Sequence, residues 1–196
     1  LPMALGSSDI TIYEMVGAYS TFANYCNYNK PEMIWRIEDA NGRVIKEVKN
    51  ETKEVMNEMY AYTMIDLMKG VTRFGTASGE LRRMGIPETV EIAGKTGTTQ
   101  NNSDGWFMGI VPNLCTGVWV GCEDRSARFR STSMGQGATM ALPIWGLYMD
   151  KCYKDDKLNV SKEAFDRPKN ISIKVDCWKP VKDTLDFDQE VDEFNF

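Results

Sequence analysis

The chain has 196 residues, 42% of them hydrophobic, 11% aromatic and 26% charged, which suits one core-forming domain or a large piece of one. Its net charge of −5, with basic residues scattered except for Arg125, Arg128 and Arg130, argues against a nucleic-acid-binding surface. No apolar run approaches the roughly 20 residues needed to span a bilayer, and no signal segment opens the chain.

Leu1 to Asp9 reads as a loop, and Thr11 with Glu14 fits a capping box that starts a helix over 12–24. Asn41-Gly42 between two β-prone runs, 33–37 and 44–48, predicts a hairpin, because Asn-Gly supplies the positive φ angles of a tight turn. Met56, Met59, Tyr60, Met64, Leu67, Met68 and Val71 recur at three and four, which predicts a helix packing its methionines into a core. Gly75-Thr76-Ala77 opens a segment expected to be mobile as far as Pro87. Three strands follow, over 90–98, 106–111 and 115–122, and their short connections predict an antiparallel meander. A last amphipathic helix is expected over 138–153, with Pro143 near its first turn. Beyond Lys154 the chain turns polar and then acidic, so 154–196 reads as a partly disordered extension. There is no internal repeat.

The five cysteines (Cys26, Cys115, Cys122, Cys152, Cys177) form no Cys-x-x-Cys pair, and there is no histidine, so neither a structural zinc site nor any cofactor is expected. They read as buried free thiols or, in an oxidising compartment, as a Cys152–Cys177 disulfide with an unpaired remainder. Without histidine, acid–base chemistry must run through Lys, Asp, Glu, Tyr or Cys.

That turns attention to Lys95-Thr96-Gly97-Thr98-Thr99, one cation and three hydroxyls ending an apolar β-prone run. The layout suits an anionic or peptide-like group held against a strand edge. The plainer reading is a lysine that keeps an edge strand soluble. Asp104 reads as a turn or strand-start residue, and Trp106, Trp119 and Trp145 as core.

The context of Lys-Thr-Gly resembles the transpeptidase domain of class A penicillin-binding proteins, the bifunctional peptidoglycan synthases. The similarity runs in order through Leu5-Gly6-Ser7-Ser8-Asp9-Ile10-Thr11, Glu14-Met15, Ala18-Tyr19-Ser20, Phe22-Ala23-Asn24, Lys69-Gly70-Val71 and Gly75-Thr76-Ala77. It continues through Lys95 to Thr99, Asp104-Gly105-Trp106-Phe107-Met108-Gly109, Thr116-Gly117-Val118-Trp119-Val120-Gly121 and Ala141-Leu142-Pro143-Ile144-Trp145, with Gly105 where alanine is usual.

The resemblance implies an α+β fold of the serine β-lactamase and D,D-transpeptidase kind, an antiparallel sheet with helices packed on it, with residues 1–153 as the C-terminal half of that domain. It implies a serine that attacks D-Ala-D-Ala stem peptides of peptidoglycan and is trapped by β-lactams. Lys95 and Thr98 are then the catalytic residues, the first for its ammonium and the second for a backbone oxyanion donor. Thr96, Gly97, Thr98 and Thr99 bind the substrate, Gly97 by letting it lie along the strand. It also implies a membrane-anchored parent with a glycosyltransferase domain, working on the extracytoplasmic, periplasmic face of the bacterial inner membrane.

The departure is large. No Ser-x-x-Lys and no Ser-x-Asn occurs in the 196 residues, so the nucleophile, its lysine and the second oxyanion donor are absent. With a start on Leu1 rather than methionine, the chain reads as a fragment that needs the other half of its domain and that aggregates or pairs without it. Rivals are a β-lactam sensor or β-lactamase of the same superfold, and a non-catalytic binding or scaffold domain.

Overall fold

The computed structural model describes residue 6, residues 8–169 and residue 171. Thr11 caps the first helix, α1 (Ile12–Ala23): its hydroxyl accepts from the Glu14 N–H while the Glu14 carboxylate accepts from the Thr11 N–H. Two small antiparallel ladders follow. The first pairs β1 (Asn27–Asn29) with β4 (Thr52–Glu54), which sequence reading did not anticipate. The second is the expected hairpin, shortened to β2 (Arg36–Glu38) and β3 (Val44–Glu47). At its turn Gly42 has φ 78°, and the Asp39 carboxylate accepts from the N–H groups of Asn41 and Arg43.

Asn57 caps α2 (Glu58–Arg73), which buries Ala61, Ile65, Met68, Lys69 and Thr72. The methionine expectation therefore holds for Met68 but not for Met64, which is exposed together with Tyr60 and Leu67. The segment expected to be mobile instead folds into a short helix, α3 (Ser78–Arg83). Its hold on the body is hydrophobic, since Ala77 and Leu81 are buried beside Trp145 and Met149.

The main sheet runs β5 (Ala93–Thr98), β6 (Asp104–Val111), β7 (Leu114–Gly121), antiparallel in chain order, which is the expected meander. After a single turn, α4 (Thr132–Gly135), comes α5 (Gly137–Lys154), with Pro143 inside the helix rather than in its first turn.

Alternation along β6 divides the core. Phe107 and Val111 face α5, where they meet Leu142, Trp145 and Met149. Ile110 faces the other way, joining Ala93, Ile65, Met68 and the aromatic side chains of α1. Trp145 is fully buried, 5.1 Å from Phe107 in an edge-to-face pair, and its indole N–H donates to Thr116. The ring fits only because Gly109 has no side chain: a Cβ there would lie 2.4 Å from it. At Gly105 a Cβ would meet the terminal methyl of Met140, also at 2.4 Å. Met140 thus occupies the volume that alanine would fill in the sequences this chain resembles.

The chain does not leave the body at Lys154. Phe165 is buried in the α1/α2 core, Tyr25 donates to Asp166 at 2.7 Å, and Asn113 holds both Asn159 and Ser161. A buried ion network anchors this return. Lys69, 5% exposed, lies 3.2 Å from Asp66 and from Glu91. Glu91 also accepts from Arg73 at 2.9 Å and from the Phe165 N–H at 3.1 Å.

The acidic end and Cys177 lie outside the described residues, and the Cys152–Cys177 pairing with them. Of the described cysteines, all unbonded to one another, Cys26 and Cys152 are buried and Cys122 is exposed.

Candidate active site

Lys95 to Thr98 occupy β5, and among the described residues β5 pairs only with β6. The motif therefore lies along an edge whose outer side carries no strand. Strand alternation splits its side chains between the two faces. Lys95 and Gly97 are paired with Met108 and Trp106, while Thr96 and Thr98 are paired with Phe107 and Gly105 toward α5. The lysine is exposed and bends round the edge, donating to the Thr96 carbonyl at 2.6 Å. An ammonium has three donors, so two remain for a ligand.

The two threonine hydroxyls are held in a way that a carboxylate can use. Thr98 Oγ1 accepts from the Gly137 N–H at 3.1 Å, at the first turn of α5, which leaves its own proton to donate. Thr96 Oγ1 lies 2.8 Å from Thr76 Oγ1, in the turn before α3. Thr76 and Gly137 were not singled out as site residues in the sequence; the Thr76 signal was its place in Gly75-Thr76-Ala77, and Gly137 gave none.

Thr99 sits differently. Its N–H donates to the Asp104 carbonyl at 3.1 Å, and its hydroxyl is shared among Ser103, the Asp104 N–H and the Asp104 carboxylate. It holds the turn that follows the motif and turns its polar atoms inward. Asn101 and Asn102 make that turn tight, with φ of 61° and 57°, a region asparagine visits at less cost than bulkier residues. Asp104 completes it at the start of β6, as expected. Burial alone would raise the Asp104 carboxyl. Donors from Ser103, Thr99 and Trp119, with the Arg125 charge, outweigh burial and hold it below the usual carboxylate range. Trp119 is thereby a clamp on the turn at 43% exposure, not the core residue expected, whereas Trp145 is core as expected.

Among the described residues, β5 itself carries no thiol. In β7 the Cys115 thiol is pushed up to about 12 by burial and stays protonated. A hollow of about 280 Å³ bounded by Leu81, Arg82, Ile86, Val90 and Ile92 includes none of residues 95–99. No helix among the described residues is long and apolar enough to cross a membrane. What the site offers is an open strand edge, an ammonium and two aligned hydroxyls: equipment for binding and polarising an anionic peptide end.

Comparison with known proteins gives the family. The family model described as "penicillin binding protein transpeptidase domain" matches residues 1–122, and the chain belongs to that family. It is 37% identical over 147 residues to penicillin-binding protein 1A of Aquifex aeolicus, covering 75% of this chain and 19% of that protein. It is 35% identical over 154 residues to penicillin-binding protein 1A of Neisseria gonorrhoeae, covering 76% and 18%. The chain thus spans about a fifth of the length of these relatives. The fold is similar to penicillin-binding protein 1A of Haemophilus influenzae, with TM-score 0.72 at 23% identity over 86% of this chain and 29% of that one. It is similar also to PonA1 of Mycobacterium tuberculosis, with TM-score 0.70 at 26% identity over 86% and 43%. The class A penicillin-binding protein resemblance and the α+β transpeptidase fold both stand.

Proposed function

We propose that this chain is the C-terminal half of a D,D-transpeptidase domain that cross-links peptidoglycan. The observation that carries the reading is the geometry of β5: an open edge with Thr96 and Thr98 hydroxyls toward one face and the Lys95 ammonium curled over it. A D-Ala-D-Ala stem peptide adds to the edge as a strand opposite Gly97, and its terminal carboxylate takes protons from Thr96 and Thr98. Lys95 supplies positive charge, and the Thr98 N–H donates to the oxyanion, an interaction worth about 3 kcal/mol in related chemistry. Thr99 contributes by fixing the turn behind Thr98.

The attacking serine comes from another part of the protein. Its oxygen bonds to the D-Ala-D-Ala carbonyl carbon, D-alanine leaves with a proton as the free amino acid, and an amine of a second stem peptide then displaces the serine. β-Lactams occupy the same edge. PonA1 of Mycobacterium tuberculosis, a solved relative, forms a complex with penicillin V, which supports that extension. The parent works at the extracytoplasmic face of the bacterial inner membrane, anchored outside this chain and joined to a glycosyltransferase domain. Residues 1–153 form the domain half, and 154–196 are its polar extension, which first packs Phe165 back into that half.

A fluorescent penicillin tests this. The full-length protein is expected to be labelled covalently and stoichiometrically, and the 196-residue chain alone not at all. Labelling of the isolated chain would overturn the assignment of the nucleophile; no labelling of either would overturn the transpeptidase reading.

A further inference from the structure

Thr76 lies 20 residues before Thr96 in sequence, yet their hydroxyl oxygens are 2.8 Å apart. Both side chains reach solvent, so burial does not force the contact. The turn that carries Thr76 is held on either side. The Gly75 N–H donates to the Gly70 carbonyl at 2.9 Å, the Ala77 N–H to the Val71 carbonyl at 3.1 Å, and Ala77 is fully buried. Threonine is β-branched, so its χ1 is stiff once the backbone is fixed. The hydroxyl is thus a fixed feature beside β5 rather than a passing surface contact.

The proton count gives it a task. A hydroxyl has one proton and two lone pairs. If Thr96 donates to Thr76, its proton points away from any ligand at the edge. If Thr76 donates to Thr96, the Thr96 proton is released toward the ligand, and the chain of two hydroxyls is polarised in that direction. An incoming carboxylate selects the second arrangement.

We propose that Thr76 is a positioning residue for carboxylate recognition: it donates to Thr96 Oγ1 and thereby aims the Thr96 proton at the terminal carboxylate of the acyl donor. This rests on the transpeptidase reading above. Thr76 does not touch the reacting carbonyl, so its effect is confined to donors that carry the carboxylate.

The test uses the full-length protein with Thr76→Val, Thr76→Ala and Thr76→Ser, and two acylating probes, benzylpenicillin and its methyl ester. For benzylpenicillin, Val and Ala are expected to lower the second-order acylation rate about fivefold to tenfold, the effect of one neutral hydrogen bond. Ser, which restores only the hydroxyl, brings the rate back to within about twofold of wild type. For the ester, all three variants stay within about twofold of wild type. A loss in Val and Ala that is equal for acid and ester marks a structural role and overturns the proposal, as does a Val or Ala variant that reacts like wild type with the acid. Failure of Ser to exceed Ala overturns it even where Val misfolds. If wild type reacts with neither probe, the transpeptidase reading falls and this proposal with it.

Discussion

Replacing Glu91 by Gln tests the ion network that ties the foot of β5 to α2 and to the C-terminal return. The oxygen that accepts from Phe165 is kept, and the charge that faces Lys69 and Arg73 is lost. Severing a buried pair typically costs about 3–5 kcal/mol, because a charge is left unpaired in a poorly solvated site. Here Asp66 still faces Lys69 at 3.2 Å, and Arg73, 40% exposed, can turn to water. The expected loss is therefore below that range, about 2 kcal/mol or somewhat more, and it lowers Tm by roughly 4–8 °C for a chain of this size. Lys69→Met leaves two carboxylates facing each other and should cost more than Glu91→Gln. The double variant should cost less than the sum.

The pH dependence has a definite sign. Burial alone would raise the Glu91 carboxyl, but the Phe165 N–H, Lys69 and Arg73 outweigh it, and its folded value lies below the ordinary 4.5. Its contribution is present above the unfolded value and lost as pH falls through the folded one. Urea denaturation of the protein, followed by tryptophan fluorescence, should thus show wild type and Glu91→Gln far apart at pH 7 and converging on acidification. A gap under about 0.5 kcal/mol at pH 7, or one unchanged down to the acid limit of folding, would refute the network's role.

Gly109→Ala and Gly105→Ala separate two kinds of tight contact. The first drives a methyl into the Trp145 ring and should destabilise by about 1–3 kcal/mol or more, whereas the second meets chiefly the movable terminal methyl of Met140, with the Gly137 Cα next at 3.3 Å, and should cost less, about 1 kcal/mol; equal effects in thermal melts would contradict the packing described. Asp104→Asn weakens three charge-assisted hydrogen bonds at the turn behind the motif, so about 1–3 kcal/mol should be lost at neutral pH. Because the Asp104 carboxyl is held below its usual range, that gap should close as pH falls through its folded value, and the near-ultraviolet circular dichroism of Trp119 should change with it.

Elements governed by neighbours along the chain were legible in the sequence. The Thr11–Glu14 box, the Asn41-Gly42 turn and the three-strand meander all arise from short-range chemistry, and all are present. Elements that depend on distant partners were not. A six-residue helix such as α3 cannot nucleate by propensity; it exists because Ala77 and Leu81 find Trp145 and Met149. The β1–β4 ladder joins two polar three-residue strands with no periodic signature. Lys69 stood in the sequence only as part of Lys69-Gly70-Val71, with nothing to mark it as buried, and only the convergence of Asp66 and Glu91 makes its burial tolerable. Trp119 read as core, but its N–H donates to the buried Asp104 carboxylate while much of the residue stays exposed.

The same division runs through the site itself. Lys95-Thr96-Gly97-Thr98 could be placed on a strand from its letters and their context, yet the direction in which each hydroxyl offers its proton is not in those letters. Gly137, at the start of α5, gives its N–H to Thr98 and so frees the Thr98 proton. Thr76, from the turn between α2 and α3, stands where it can do the same for Thr96. Asp104, through Thr99, fixes the turn that ends the strand. Three segments far apart in sequence thus orient one short strand before a ligand arrives. Donors aimed in advance need no reorganisation when negative charge reaches them, which is where preorganised sites gain most of their strength. On the proposed reading, a substitution at Thr76, at the start of α5 or at Asp104 therefore weakens carboxylate recognition while leaving every residue of the motif in place.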